Sequence, residues 1–315
     1  MTKNKALQLF YENNNIDPTT IHPRDRIAEL PKKLDDWLLN IADEDHSIFL
    51  DAFSRYMYLT QDECQDRFVQ SMAMLKAELQ KHAIELNDVL YVTVESSSGT
   101  KSGSDNVRAD MQRYNIEDIG KDQILAAQSK FIEERLDGVQ AIVFVDDILG
   151  TGCTLWSEMY SFCTKFNING KGKIKLYYMC IAPTEKGINH FNKNFIKYGY
   201  AVTSIYKNEW ICAKAFKGDS TEYGVVNKYE TEIDNYFAGS DHSYRMGFKQ
   251  GCLLISFYYN TPNNTISSFW RPTPFNAPPF KRDGKECKRP SVSDLVTKKR
   301  WSGANSYTFA AKRNE

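Results

Sequence analysis

Between residues 88 and 206 the hydrophobic pattern alternates between continuous apolar runs and amphipathic stretches. Val89 to Val94 is a β-branched run that predicts a strand. Asp122 to Leu136 has helical spacing. Ala141 to Val145 is apolar at every position, which suits a strand buried on both faces of a parallel sheet. Leu155 to Phe166 reads as helix, Ile174 to Ile181 as strand, Glu185 to Tyr198 as helix and Tyr200 to Tyr206 as strand. With a further helix after the first strand, the order is β–α–α–β–α–β–α–β. That order predicts an α/β fold, a doubly wound and mainly parallel sheet centred on the 141–145 strand.

The flanks differ. Residues 1–86 read as helical. Leu34, Trp37, Leu38 and Ile41 recur at helical spacing behind Pro31, and Ile48 to Tyr58 carries Phe49, Phe53, Tyr56 and Met57 as another core-facing helix. Thr60-Gln61-Asp62-Glu63 is a capping-box pattern, followed by Phe68, Met72, Leu75 and Leu79 on one face. This part is expected to be a helical cap or partner-binding region. Residues 87–280 form the α/β domain, with a helix over Val225–Phe237 and a strand over Leu253–Tyr259. Residues 281–315 hold ten Lys or Arg against four Asp or Glu, a balance of +6, and read as a basic, flexible tail.

Composition narrows the function classes. The formal net charge is zero over 315 residues, so the chain as a whole has no global attraction to nucleic acid or membrane. Met1 to Lys5 leads into no apolar leader segment, and no run approaches a membrane span. The seven cysteines are scattered without a CxxC pair, and the five histidines are isolated. Free thiols in a cytoplasmic protein are expected, and a zinc site is not.

The chemistry concentrates at residues 146–154. Asp146 and Asp147 close the apolar strand, at the end where open α/β sheets bind ligands. Leu149, Gly150, Thr151, Gly152, Cys153 and Thr154 then make a short loop into a helix. Glycines let a phosphate approach the backbone, threonines add hydroxyl donors, and the N–H groups and dipole of a helix start favour an anion. Adjacent carboxylates beside such a cradle suit a sugar diol, and can help hold Mg²⁺ through water. Farther upstream, the strand over residues 89–94 empties into a small polar loop containing Ser97, Ser98, Gly99 and Lys101.

The run Asp146-Asp147, three residues, Thr151-Gly152-x-Thr154 resembles the binding motif for 5-phosphoribosyl-1-diphosphate (PRPP) of type I phosphoribosyltransferases. The resemblance implies a phosphoribosyltransferase-type sheet, with residues 149–154 on the 5-phosphate, Asp146 and Asp147 on the ribose hydroxyls as catalytic residues, and Mg²⁺ at the pyrophosphate. By position, Ser97, Ser98, Gly99 and Lys101 are candidates for the pyrophosphate. One departure matters. The third residue after the second Asp is Gly150, where purine-type members often carry an acid, so the loop offers no general base and the acceptor is not a purine handled in the standard way.

A strand running into Asn260-Thr261-Pro262-Asn263-Asn264-Thr265, with Trp270 shortly after, sharpens the likeness. Asn260, Asn263, Asn264 and Trp270 either make turn structure or complete a pocket for a base or acceptor. The two motifs in this order are similar to the phosphoribosyltransferase-like family PRTase-CE, which is expected to supply effectors of prokaryotic conflict systems, retron-type anti-phage modules included. That resemblance implies a bacterial effector that transfers or hydrolyses the ribosyl phosphate of PRPP or a related nucleotide. It also implies, as partners, a reverse transcriptase with its attached RNA–DNA hybrid (msDNA). A non-catalytic nucleotide sensor or a scaffolding subunit of that complex fits the same residues. Oligomeric state stays open.

Overall fold

The computed structural model describes residues 1–94, 106–107, 109–111, 119–127, 129–238, 243–282 and 287. The elements before the sheet are helices α1 (Lys3–Asn13), α2 (Leu30–Leu38) and α3 (His46–Ser54), strand β1 (Met57–Leu59) and helix α4 (Gln61–Gln80). There follow strands β2 (Val89–Thr93) and β3 (Ile124–Ala126), the short helix α5 (Ile132–Arg135), strand β4 (Ala141–Leu149), helix α6 (Cys153–Lys165), strand β5 (Lys175–Pro183), helix α7 (Glu185–Tyr198), strand β6 (Val202–Ile205), helix α8 (Thr221–Tyr236) and strand β7 (Ile255–Phe257).

Five strands make the main sheet in the order β3-β2-β4-β5-β6, every pair parallel. The fold is α/β and doubly wound. Alternate side chains of β4 point to opposite faces. Ala141, Val143 and Val145 pack with Phe68, Met72, Leu75 and Leu79 of α4. Ile142 and Phe144 pack with Leu155, Met159 and Phe162 of α6 and with Phe191 and Phe195 of α7. A strand covered on both sides has no polar position to spare, which explains its unbroken apolar run. Helix starts are set locally: Thr60 Oγ1 accepts from Glu63 N at 3.2 Å, and Ser220 Oγ from Tyr223 N at 3.1 Å.

Three local expectations are corrected. Residues 124–126, read as helix, form edge strand β3 instead, because Tyr91 and Thr93 offer a ladder to Ile124 and Ala126; the helix of that stretch is only Ile132–Arg135. The helix expected to reach Tyr58 stops at Ser54, because residues 57–59 pair with 255–257 as a separate two-stranded parallel sheet. The strand expected over 253–259 narrows to Ile255–Phe257 for the same reason. Tertiary pairing overrides local propensity in each case.

That small sheet joins the N-terminal part of the chain to residues 255–257. Phe10, Trp37, Phe49, Phe53 and Tyr56 share one apolar cluster with Met246, Ile266, Phe269 and Phe280. Tyr56 stacks on Phe280 with ring centroids 4.2 Å apart, and Trp37 Nε1 donates to Ser268 O at 3.0 Å. Arg26 donates to the carbonyls of Phe257, Phe280 and Lys281. Helices α1–α3 therefore pack with residues 216–280, whereas α4 packs on the main sheet.

Candidate functional site

Strand β4 sits where the sheet order reverses: the chain steps from β2 outward to β3, then returns to the far side of β2 and proceeds through β5 to β6. Open sheets bind ligands at such a switch point, outside the carboxyl ends of the strands. The ladder between β2 and β4 ends at Thr93 opposite Val145, while that between β4 and β5 continues to Leu149 opposite Pro183. Asp146 and Asp147 thus stand just beyond the end of β2.

Their hydrogen bonds differ. Asp147 is 6% exposed; its Oδ1 accepts from Ile148 N at 2.8 Å and its Oδ2 from the Tyr259 hydroxyl at 2.8 Å. Asp146 is half-buried, and its Oδ1 accepts from Asp147 N at 3.0 Å. Burial holds the Asp146 carboxyl well above the ordinary carboxylate range, and the neighbouring Asp147 charge pushes it the same way. Burial also raises Asp147, and the Tyr259 hydrogen bond works against that rise. Two carboxylates this close do not both ionise readily without a cation or donors between them. Tyr259 is a residue the sequence reading missed. It lies flat on Phe257, with centroids 5.2 Å apart and planes 8° apart, while its neighbour Tyr258 donates to Asp110 at 2.9 Å.

The loop after the carboxylates is pinned against a second helix start. Gly152 has φ +72° and caps α6, its carbonyl accepting from Trp156 N at 3.0 Å. A Cβ on it would lie 2.7 Å from the Gly187 carbonyl. Thr184 closes the junction, donating to Gly150 O at 2.5 Å and accepting from Gly187 N at 2.9 Å. The N-termini of α6 and α7 are therefore neighbours. A Cβ on Gly150 would overlap Asn264 Oδ1. Any side chain at this position would have to displace the Asn264 amide. Thr151 is buried, Cys153 half-buried and Thr154 exposed.

Asn260, Asn263 and Asn264 make turn structure, and Asn264 reaches the loop at Gly150. Asn260 Oδ1 accepts from Thr261 N at 2.9 Å, an Asx turn. The Asn263 carbonyl accepts from Phe248 N at 2.7 Å, and Asn264 Nδ2 donates to Phe248 O at 3.3 Å. Trp270 corrects the expectation that it stacks on a ligand. It is 0% exposed, its Nε1 donates to Thr265 O at 2.8 Å, and Tyr244 meets it edge-on at 5.7 Å. A buried indole with its one donor taken is a core residue.

The segment that the asparagines hold is strained. Met246, Lys249, Gln250 and Cys252 have φ of 58°, 50°, 56° and 53°, a left-handed conformation that costs a non-glycine residue about 1–2 kcal/mol. Cys252 N donates to Met246 O at 2.8 Å, and the buried Glu230 carboxylate accepts from Met246 N at 2.9 Å. The segment brings Lys249 Nζ to 3.1 Å from Cys153 Sγ, and Lys186 donates to the Lys249 carbonyl. His190 Nε2 is 3.8 Å from the same sulfur. Burial lowers the affinity of His190 for a proton, and Lys249, Lys193 and Lys186 lower it further. No motif pointed to these cations. They converge from two separate elements, α7 and the turn at 246–252.

The family model that matches this chain is PRTase-CE, over residues 34–282. The chain belongs to the PRTase-CE family. A solved structure with some similarity is the Helicobacter pylori xanthine-guanine-hypoxanthine phosphoribosyltransferase, at 14% identity over 50% of this chain and 88% of that one, with a TM-score of 0.28. No curated protein matches the chain. The PRTase-CE match begins inside α2 and ends at Arg282, so it takes in β1, β7 and the main sheet together. Ser97, Ser98, Gly99 and Lys101 lie outside the described residues, as does the tail beyond Arg282 apart from Cys287. Among the described residues no helix is long and apolar enough to cross a membrane.

Proposed function

We infer that this PRTase-CE protein binds PRPP or a related nucleotide beyond the carboxyl ends of β2 and β4, and transfers or hydrolyses its ribosyl phosphate. The observation that carries this is the carboxylate pair at the switch point, running directly into a glycine-pinned helix start. The backbone N–H groups of Thr151 to Thr154 and the dipole of α6 suit a 5-phosphate. Asp146 and Asp147 suit the ribose hydroxyls. As the bond from ribose C1 to the leaving group breaks, the leaving group keeps the electron pair and C1 becomes electron-poor. Two carboxylates fixed nearby favour that charge. A nucleophile, water or an acceptor, then forms the new bond and gives up its proton.

The site fits Mg²⁺. Two hard carboxylate donors are present, and no third His, Cys, Asp or Glu gathers with them among the described residues. That is the donor set of a Mg²⁺ completed by substrate oxygens and water. Asp146 and Asp147 would hold it. When bound, it would neutralise the leaving pyrophosphate.

The wider role proposed is that of an effector in a retron-type anti-phage system, with a reverse transcriptase and its msDNA as partners. Family membership and the basic tail support it. A second reading, nucleotide sensing without turnover, is favoured by one contact: both oxygens of Asp147 already accept hydrogen bonds, one from Tyr259. The test is calorimetric titration of PRPP with Mg²⁺ into the full chain and into Asp146→Asn/Asp147→Asn. Micromolar binding that vanishes in the variant is expected, and product analysis then separates enzyme from sensor. Binding that survives the double substitution would sink the assignment of the carboxylates.

A further inference from the structure

Lys186 and Lys249 stand at the mouth of the Leu149–Thr154 segment, with the charges of Lys193 and Lys214 acting beside them, and the reading above uses none of the four. Lys249 Nζ stands 3.1 Å from Cys153 Sγ, in the first turn of α6. Lys186, in the first turn of α7, donates to the Lys249 carbonyl. The charges of Lys214 and Lys249 act on Lys186, and those of Lys249, Lys193 and Lys186 act on His190. All four lysines are exposed, and among the described residues none has a carboxylate within ion-pair distance. Like charges gathered without an acid oppose folding.

The placement of Lys249 is imposed by the backbone. Four non-glycine residues between 246 and 252 adopt left-handed φ, held by Glu230, Asn263 and Asn264. Strain of this kind persists only where the surroundings over-determine it, and it clusters at ligand clamps. The lysine lip is therefore built by the fold.

A terminal ribose 5-phosphate brings at most two negative charges. The loop amides and the α6 dipole already answer them. The lip lies outside that cradle, between two helix starts. We propose that it takes a second phosphoryl group, so that the ligand of this site is a ribose 5-diphosphate ester, as in one half of a dinucleotide. This deepens the sugar–phosphate reading above and rests on it. Ammonium groups on flexible stems suit a pyrophosphate, whose oxygens turn freely. Lys186 and Lys249 are joined to each other at one point beside the helix start, which favours a small ester over single-stranded nucleic acid, whose backbone calls for cations tracking a groove.

The test compares ribose 5-phosphate, ADP-ribose and a single-stranded oligonucleotide by calorimetry, using the full chain and Lys186→Gln/Lys249→Asn. Asparagine tolerates the left-handed backbone at 249, and circular dichroism checks the fold. The wild type should bind ADP-ribose on the order of ten-fold more tightly than ribose 5-phosphate, and the double variant should lose that advantage. Equal affinities in the wild type overturn the proposal while leaving the sugar–phosphate site intact. An advantage that the variant keeps also overturns it, because adenosine contacts would then explain the gain. Tighter, lysine-dependent binding of the oligonucleotide overturns it in favour of nucleic acid. If neither ribose compound binds the wild type, the sugar–phosphate reading falls and this proposal falls with it.

Discussion

Asp146 shows what two adjacent carboxylates cost a fold. Its carboxyl titrates well above the ordinary 3.8, chiefly because it is buried and then because Asp147 is adjacent. The folded state therefore binds more protons than the unfolded state between that value and the raised one. Stability must fall as pH rises through the interval. Asp146→Asn removes the ionisation, so it should raise the midpoint of denaturant unfolding and flatten its decline as pH rises above the ordinary carboxylate range. Equal pH slopes in wild type and variant would contradict the assignment. The same residue should be needed for ligand binding, since a site that gathers charge opposes its own folding. Tyr259 acts on the partner carboxylate, donating to Asp147 at 2.8 Å and opposing the rise that burial causes there. Nothing in the run Phe257-Tyr258-Tyr259 distinguishes that tyrosine from a core aromatic. Its role depends on where β7 ends.

At the scale of elements, the junction of α6 and α7 depends on two facing glycines. Gly152 must hold φ +72°, and its hydrogen faces the Gly187 carbonyl. Gly152→Ala should cost about 1–2 kcal/mol for the left-handed backbone alone. It should also displace the loop from Thr184 and remove sugar–phosphate binding. Chemical denaturation and the PRPP titration read the two effects separately, and a variant that binds normally would show that the loop does not need the close approach. The Asp-Asp and Thr-Gly-x-Thr residues were legible because they are neighbours within nine residues, 146 to 154, although the strand runs on through both carboxylates to Leu149 instead of closing at them. The lysines of the lip were not legible. They come from α7, from the segment before α8 and from the strained turn at 246–252.

At the scale of the whole molecule, the N-terminal helices close on residues 216–280. Trp270 belongs to that closure. Trp270→Phe keeps most of the apolar volume and loses the hydrogen bond to Thr265, which predicts about 1–2 kcal/mol of destabilisation. The folded variant should still bind PRPP, because the indole is fully buried. Loss of binding in a folded variant would return Trp270 to the pocket. Cutting the chain near residue 86 is a poor way to isolate the α/β part, since α1–α3 share their core with residues 216–280.

The sequence by itself determined the doubly wound α/β class, the buried central strand and the carboxylate–glycine–threonine motif. Each depends on residues that are neighbours in the chain and repeat at a period that backbone geometry fixes. Only the tertiary structure decided that residues 124–126 form an edge strand, that Trp270 is core, that Tyr259 holds Asp147, and that Lys186 and Lys249 stand beside the loop. Each of those depends on which distant segments meet, and packing, not local propensity, chooses the partners.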